Sequence, residues 1–274
     1  MQSKQPIGIF DSGIGGLSVL KEINQLLPSE NLLYVADSAH APYGNKSHEF
    51  ILQRCKELTR FLIEQGAKAI VIACNTATAV AVTKLREQFT LPIIAMEPGV
   101  KPAIAATKSG IVGVLATENT LASEQFTNLV RRYAMDLKVI SQPCPGLVEQ
   151  IETGRFNSSE TSQLIKQYVA PLLTAGADTI VLGCTHYPLV VEQIRQIVGT
   201  TTAIIETGQA VAQQLKRQLV EQRLLSDETR QASFNCWTSG NIDQLNFIVE
   251  KIFDQRLSTR PLPEATALQD TNQG

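Results

Sequence analysis

Along this chain, short unbroken apolar runs alternate with longer stretches in which apolar residues recur every three or four positions. The runs read as buried strands, and the longer stretches as amphipathic helices with one face in a core. "IGIF" (Ile7–Phe10) is the first strand. It is followed by a helix over Gly16–Leu27, with Leu17, Leu20, Ile23 and Leu27 on one face. "NLLYVAD" (Asn31–Asp37) is a second strand, and "APYG" (Ala41–Gly44) a turn, since Pro fixes one φ and Gly frees another. A long helix spans Ser47–Gln65 with Ser47 as its N-cap. "AIVIAC" (Ala69–Cys74) is a strand, "TAVAVTKLREQF" (Thr78–Phe89) a helix and "LPIIAM" (Leu91–Met96) a strand.

The order then begins again. "GIVGVLAT" (Gly110–Thr117) corresponds to the first strand and Thr120–Tyr133 to the helix after it. "MDLKVISQPCPG" (Met135–Gly146) corresponds to the second strand with its Pro/Gly turn, Ser158–Gly176 to the long helix, and "DTIVLGC" (Asp178–Cys184) to the strand that ends in cysteine. Gly176-Ala177 and Cys184 each lie 110 residues after Gly66-Ala67 and Cys74. We read two related α/β halves, each a parallel sheet with helices on both faces. The last segments are a helix over Thr207–Leu225, a strand over Ala232–Gly240 and a helix over Ile242–Phe253, expected to pack back on the first half. The reading divides the chain into a first α/β domain (1–97 plus 208–256), a second (98–207) and a loose polar tail (257–274) carrying Pro261 and Pro263.

Composition narrows the class. A length of 274 residues suits about two domains. The formal charge of −2 provides no basic field for a nucleic acid. No apolar run reaches the roughly 20 residues of a membrane helix, and the start lacks the apolar core of a signal peptide, so a cytoplasmic protein without a membrane partner is expected. Five cysteines, an odd number with no CxxC pair, read as thiols in a reducing compartment.

Parallel α/β sheets bind ligands at the carboxyl ends of their strands. Asp11, Ser12, Asp37, Cys74, Thr117 and Cys184 all sit at such ends. A cysteine at a helix start meets free N–H groups and the positive dipole end, which favour thiolate. Asn75-Thr76 and Thr185-His186 add donors. If the halves face one another, one thiolate could take a proton from carbon while the opposite thiol returns one to the other face. A symmetric pair of this kind suits inversion of a stereocentre. The bland alternative is that each cysteine is a small buried hydrophobe, and this is the expectation for Cys55 and Cys236; Cys144 falls in a turn between prolines, and His48 on the surface.

Four motifs, "GIFDSGIGGLSVL", "YVADSAHAPYG", "ACNTATA" and "GCTHYPL", resemble in order those of the glutamate racemases, within the cofactor-independent aspartate/glutamate racemase superfamily. The resemblance implies two pseudo-symmetric parallel-sheet α/β domains with an active site in the cleft between them. It implies interconversion of L- and D-glutamate without a cofactor or metal, supplying D-glutamate for peptidoglycan. It also implies roles. Cys74 and Cys184 would be the two bases, Cys74 acting on D-glutamate and Cys184 on L-glutamate. Asp11 would assist Cys74, and His186 would assist Cys184, with Glu152 as acidic helper. Asp11 and Ser12 would meet the amino-acid headgroup. Pro42, Tyr43 and Gly44 would line the site, and Asn75, Thr76 and Thr185 would hold carboxylates, with Thr117 and Thr120 nearby. Asp37 and His40 are left without an assigned role, and a homodimer is compatible with the reading.

Other readings remain open on the sequence. The strand, Gly-rich turn and helix at Gly8–Leu20, with Asp37 after the next strand, has the layout of a dinucleotide site. However, Ser18 stands where the third small residue belongs, and Asp11 would repel a diphosphate. Cys184 and His186 lack zinc-ligand spacing. No lysine follows a phosphate loop as a pyridoxal enzyme requires. An amino-acid sensor, an aspartate or hydantoin racemase and a decarboxylase are the nearer alternatives, the last needing only one cysteine.

Overall fold

The computed structural model describes residues 2–227, 233–253 and 259–263. In the first half the order is β1 (Ile7–Asp11), α1 (Leu17–Leu26), β2 (Leu32–Ala36), α2 (His48–Glu64), β3 (Ala69–Ile72), α3 (Asn75–Gln88) and β4 (Ile93–Ala95). The second half holds α4 (Val100–Ala106), β5 (Ile111–Ala116), α5 (Glu118–Ala122), α6 (Glu124–Tyr133), β6 (Lys138–Pro143), α7 (Leu147–Glu152), α8 (Ser159–Thr174), β7 (Thr179–Leu182), α9 (Val191–Val198) and β8 (Ala203–Ile205). The chain then returns through α10 (Gly208–Glu221), β9 (Phe234–Thr238), α11 (Ile242–Phe253) and β10 (Thr259–Pro261).

These strands make two wholly parallel sheets, ordered β10-β9-β2-β1-β3-β4 and β6-β5-β7-β8. The run β2-β1-β3-β4 has the same order as β6-β5-β7-β8, which is the internal repeat in three dimensions. Gly66 and Gly176, the repeated pair before β3 and β7, both take left-handed φ, +86° and +87°. That conformation is one a glycine adopts without a Cβ penalty.

Alternation along the strands assigns each side chain to a face. In the first sheet Ile7, Ile9, Leu32, Tyr34 and Val71 pack with α1, α10 and α11. Phe10, Leu33, Val35, Ile70 and Ile72 face α2 and α3. In the second sheet Val112, Val114 and Val181 meet α4 and α6, while Leu115, Ile180 and Leu182 meet α7, α8 and α9. Each fully buried side chain of this size contributes about 1.5–3 kcal/mol. The fold is therefore held by helices on both sides of each sheet.

Several elements differ from the reading of the sequence. The helix expected from Thr78 begins at Asn75, because Cys74 caps it: the sulfur accepts the Ala77 N–H at 3.4 Å. The helix expected over Thr120–Tyr133 breaks in two at Ser123, whose hydroxyl caps α6 by accepting from the Phe126 N–H. Cys184 is followed by a 3-10 helix (Tyr187–Val190) containing Pro188, so the two cysteines do not open identical helices. Helices α4 and α7 were not anticipated. Thr259–Pro261, expected in the loose tail, adds a parallel strand to β9. The remaining tail (264–274) and the start of the Ala232–Gly240 strand lie outside the described residues.

Candidate active site

β1 ends at Asp11, and the chain turns at once through Ser12–Gly16 into α1. Asp11 is fully buried, and its Oδ2 accepts the N–H groups of Gly13 (3.2 Å) and Gly16 (2.9 Å). From β2, the Tyr34 hydroxyl donates to the Gly13 carbonyl at 2.7 Å. The turn is thus fixed by a carboxylate on its N–H groups and a phenol on its carbonyl. Burial pushes the Asp11 carboxyl above its usual range, against the pull of His186 and the Gly16 N–H.

Cys74 and Cys184 border one small cavity of about 10 Å³, room for roughly one water. The first half contributes Ser12, Cys74, Asn75 and Thr76, and the loop Pro42-Tyr43-Gly44. The second half contributes Thr117, Val148, Cys184, Thr185 and His186. A neighbouring cavity of about 90 Å³ shares Pro42, Gly44, Thr117 and Val148 with it. A much larger groove, about 1020 Å³, runs between α3, β4, α6 and α10, away from both cysteines. The small cavity holds the convergent chemistry.

Each thiol has its own partners. The Cys74 thiol lies 3.8 Å from the Ser12 hydroxyl and caps α3. The helix terminus was expected to favour thiolate. In the folded protein burial, followed by the charge of Asp11, pushes Cys74 well above the ordinary thiol range and outweighs the Ala77 N–H. Cys184 Sγ lies 3.6 Å from His186 Nδ1, and His186 Nε2 lies 2.5 Å from Glu152 Oε1. Burial disfavours the imidazolium, yet the hydrogen bonds to Cys184 and Glu152 prevail and hold His186 well above its ordinary range. The chain Cys184–His186–Glu152 is a sulfur, imidazole and carboxylate in sequence.

Polar groups between the thiols complete the cavity. The hydroxyls of Thr76, Thr117 and Thr120 form a triangle of 2.9, 3.1 and 2.9 Å. Asn75 is 4% exposed, and neither atom of its amide has a hydrogen-bond partner. Because Asn75 lines the cavity, its amide is available to a ligand's polar atoms.

The structure brings together Ser12, Pro42, Tyr43, Gly44, Cys74, Asn75, Thr76, Thr117, Thr185 and His186 around the cavity. Asp11, Glu152 and Thr120 stand behind it. Asp11 turns to the backbone and to Thr185 Oγ1 (3.4 Å), with no hydrogen bond to Cys74. Asp37 is buried away from the cavity, and it accepts from the Tyr43 hydroxyl (2.6 Å), from Arg54 Nε (3.0 Å) and Nη2 (2.7 Å), and pairs with His40 (2.9 Å). Its desolvation is outweighed by Arg54, Tyr43 and His40, which hold the carboxyl below its usual range. Asp37 and Arg54 therefore fix Tyr43 as a wall. Cys55, Cys144 and Cys236 are buried, and burial pushes Cys144 and Cys236 up to about 12.

Reasoning from sequence passed over Val148, Tyr34 and Asn119. Asn119 Nδ2 donates to the carbonyls of Tyr43 (3.1 Å) and Lys46 (2.9 Å), binding the loop of one half to α5 of the other. Its only sequence signal was its place between Thr117 and Thr120.

A family model describing Asp/Glu/Hydantoin racemase matches residues 7–215, which carry both cysteines and every cavity residue. The chain belongs to the Asp/Glu/Hydantoin racemase family. It is an isomerase of the racemase type. A glutamate racemase from Ectopseudomonas mendocina is 53% identical over 256 residues, covering 93% of this chain and 97% of that protein. Among solved structures, a glutamate racemase isoform from Bacillus anthracis superposes with a TM-score of 0.87 at 33% identity, covering 95% of this chain and 98% of that one. Glutamate racemase from Francisella tularensis, solved in complex with D-glutamate, gives 0.82 at 28% identity, with coverage of 95% and 98%. Among the described residues, no group of three or more His, Cys, Asp or Glu is placed to hold a metal, and no helix is long and apolar enough to cross a membrane.

Proposed function

We propose that this racemase interconverts L- and D-glutamate by proton transfer between two thiols. The observation that carries the reading is the pair Cys74 and Cys184, at equivalent strand ends of two repeated halves, bordering one cavity. In one direction Cys184 as thiolate removes the Cα proton of L-glutamate. The Cα–H electrons delocalise into the α-carboxylate, and Cys74 as thiol then gives its proton to the opposite face. In the other direction Cys74 removes the proton of D-glutamate and Cys184 returns one. No atom is gained or lost.

Each remaining group has a task in this scheme. The unpartnered Asn75 amide and the threonine hydroxyls supply donors for the two carboxylates, and these bonds strengthen as charge develops on the carboxylate in the transition state. Ser12 meets the headgroup. The substrate's α-ammonium brings a positive charge near Asp11 and Cys74, which lowers the thiol toward a working range. His186, held by Glu152, exchanges charge with Cys184. A cavity of one water's size cannot hold glutamate, so the two halves part to admit it. Free thiols suit a reducing compartment, and we place the protein in the cytoplasm, where D-glutamate would serve peptidoglycan synthesis.

The test is direct. Purified reduced protein is given L-glutamate and circular dichroism is followed to zero. Replacement of either Cys74 or Cys184 by serine should stop the decay. Decay that persists in either variant, or absence of decay in the parent, would reject the scheme.

A further inference from the structure

The Gly-rich turn after β1 belongs to the first half, yet the groups pressed against it belong to the second. Ile14 N–H donates to Glu152 Oε1 at 2.7 Å, the same oxygen that holds His186 Nε2 at 2.5 Å. A Cβ on Gly13 would stand 1.9 Å from Glu152 Oε1 and 2.5 Å from its Cδ. A Cβ on Gly15 would stand 2.4 Å from His186 Nδ1 and 2.7 Å from Thr185 Oγ1. Neither glycine has a left-handed φ, so what these two positions require is space and not backbone freedom. Three further bonds cross at the same place. Ser18 Oγ donates to the Thr185 carbonyl (3.0 Å), Thr185 Oγ1 donates to Asp11, and Gln244 of α11 donates to the Glu152 carbonyl.

We propose that the Gly13–Gly16 turn, supplied by the opposite half, is the positioning element that orients the Glu152 carboxylate on His186 and so tunes the acid–base relay serving Cys184. The argument is geometric. Glu152 lies at the last residue of a six-residue helix, and nothing in its own half shares its Oε1 except His186 among the hydrogen bonds it makes. The carboxylate is oriented by an N–H that reaches it across the cleft. Tyr34, which locks the turn, acts on Cys184 chemistry through the turn, Glu152 and His186, while Asp11 also meets Thr185 directly. Cys74 is held differently, because its cap on α3 and its contact with Ser12 lie within its own half. The contacts from Cys184 to His186 and from His186 to Glu152 also lie within one half, and what the opposite half adds is the Ile14 N–H that orients the carboxylate.

The proposal rests on the racemase reading, and its test separates the two. Gly13→Ala should displace the Glu152 carboxylate and lower kcat/KM by on the order of a hundredfold, as a misplacement of about 1 Å does. The fall should lie in kcat more than in KM, because Glu152 does not border the cavity. The decisive variant is the pair Gly13→Ala/Glu152→Ala, which removes the clashing carboxylate. If the turn acts through Glu152, this double variant matches Glu152→Ala alone; if the two losses add, the turn has only a structural role and the proposal fails. Tyr34→Phe keeps the ring and removes the bond to Gly13, and it should show a smaller loss that likewise vanishes in the Glu152→Ala background. A readout independent of turnover is the NMR titration of His186, one of three histidines. In Gly13→Ala its midpoint should move to lower pH, since the imidazolium loses its carboxylate. A midpoint unchanged from the parent would overturn the proposal even if the protein racemises glutamate. A shifted midpoint in a protein inert toward glutamate would uphold the turn and reject the substrate.

Discussion

Replacing Asn75 with leucine should make the protein more stable and less active at once. The amide is buried at the first residue of α3, 4% exposed, with both its oxygen and nitrogen unpartnered. A buried polar group without a partner costs about 1–3 kcal/mol of desolvation, and an apolar group of the same shape removes that cost. Leucine is close to asparagine in shape and is no poorer a helix former. Asn75→Leu should therefore raise the unfolding free energy by about 1 kcal/mol, read from urea melts with an unchanged m-value. The same change removes a donor from the cavity. A hydrogen bond to a charged carboxylate is worth about 1.5–3 kcal/mol, so kcat/KM should fall by about ten- to a hundredfold. Opposite signs in the two assays are the signature of a group kept for a ligand. A variant that is less stable than the parent, or one that retains its kcat/KM within about threefold, would refute the reasoning.

Other expectations follow from the same geometry. Arg54→Leu leaves the Asp37 carboxylate buried without its main partner, so stability at neutral pH should drop by about 3–5 kcal/mol in chemical denaturation. Asp37 has a depressed folded pKa, so this pair stabilises above the unfolded value of 3.8 and its contribution is lost as pH falls through the folded one; the gap between variant and parent should narrow in acid. His186 has a raised folded pKa, so its contribution is full below about 6.5 and is lost as pH rises through the folded value. The parent should accordingly lose stability relative to His186→Gln between neutral and alkaline pH, and parallel pH curves would contradict the pairing with Glu152. Asn119→Ala frees the Tyr43–Lys46 loop from α5, which should speed opening and raise the KM for glutamate.

Much of the architecture was written in local pattern. The apolar runs at Ile7–Phe10, Ala69–Ile72 and Thr179–Leu182 are strands because continuous β-branched runs suit a sheet buried on both faces. The repeat from Gly66 to Cys74 and from Gly176 to Cys184 marks the two halves. The cysteines, Ser12 and the polar residues beside them gather around one cavity, as strand ends in such sheets lead one to expect. What sequence did not show were relations between distant residues. Ile14 and Glu152 are 138 positions apart, Asn119 and Tyr43 76 apart, and no periodicity announces either pair. Helix α7 was missed because it is six residues long and follows a Pro/Gly turn. The strand, Gly-rich turn and helix around Gly13–Gly16 have the layout of a dinucleotide site, with its spacing broken at Ser18. In the fold the missing side chains of Gly13 and Gly15 make room for a carboxylate and an imidazole from the other half.

The central claim is that two thiols on opposite sides of one cavity exchange protons with Cα. The measurement that tests it most directly is incubation of the reduced protein with L-glutamate in D2O, following circular dichroism and the Cα–H NMR signal together. Two-thiol transfer predicts that optical activity decays to zero and that each D-glutamate formed carries deuterium at Cα. Inversion that retains the original proton, or no change in either signal, would contradict it.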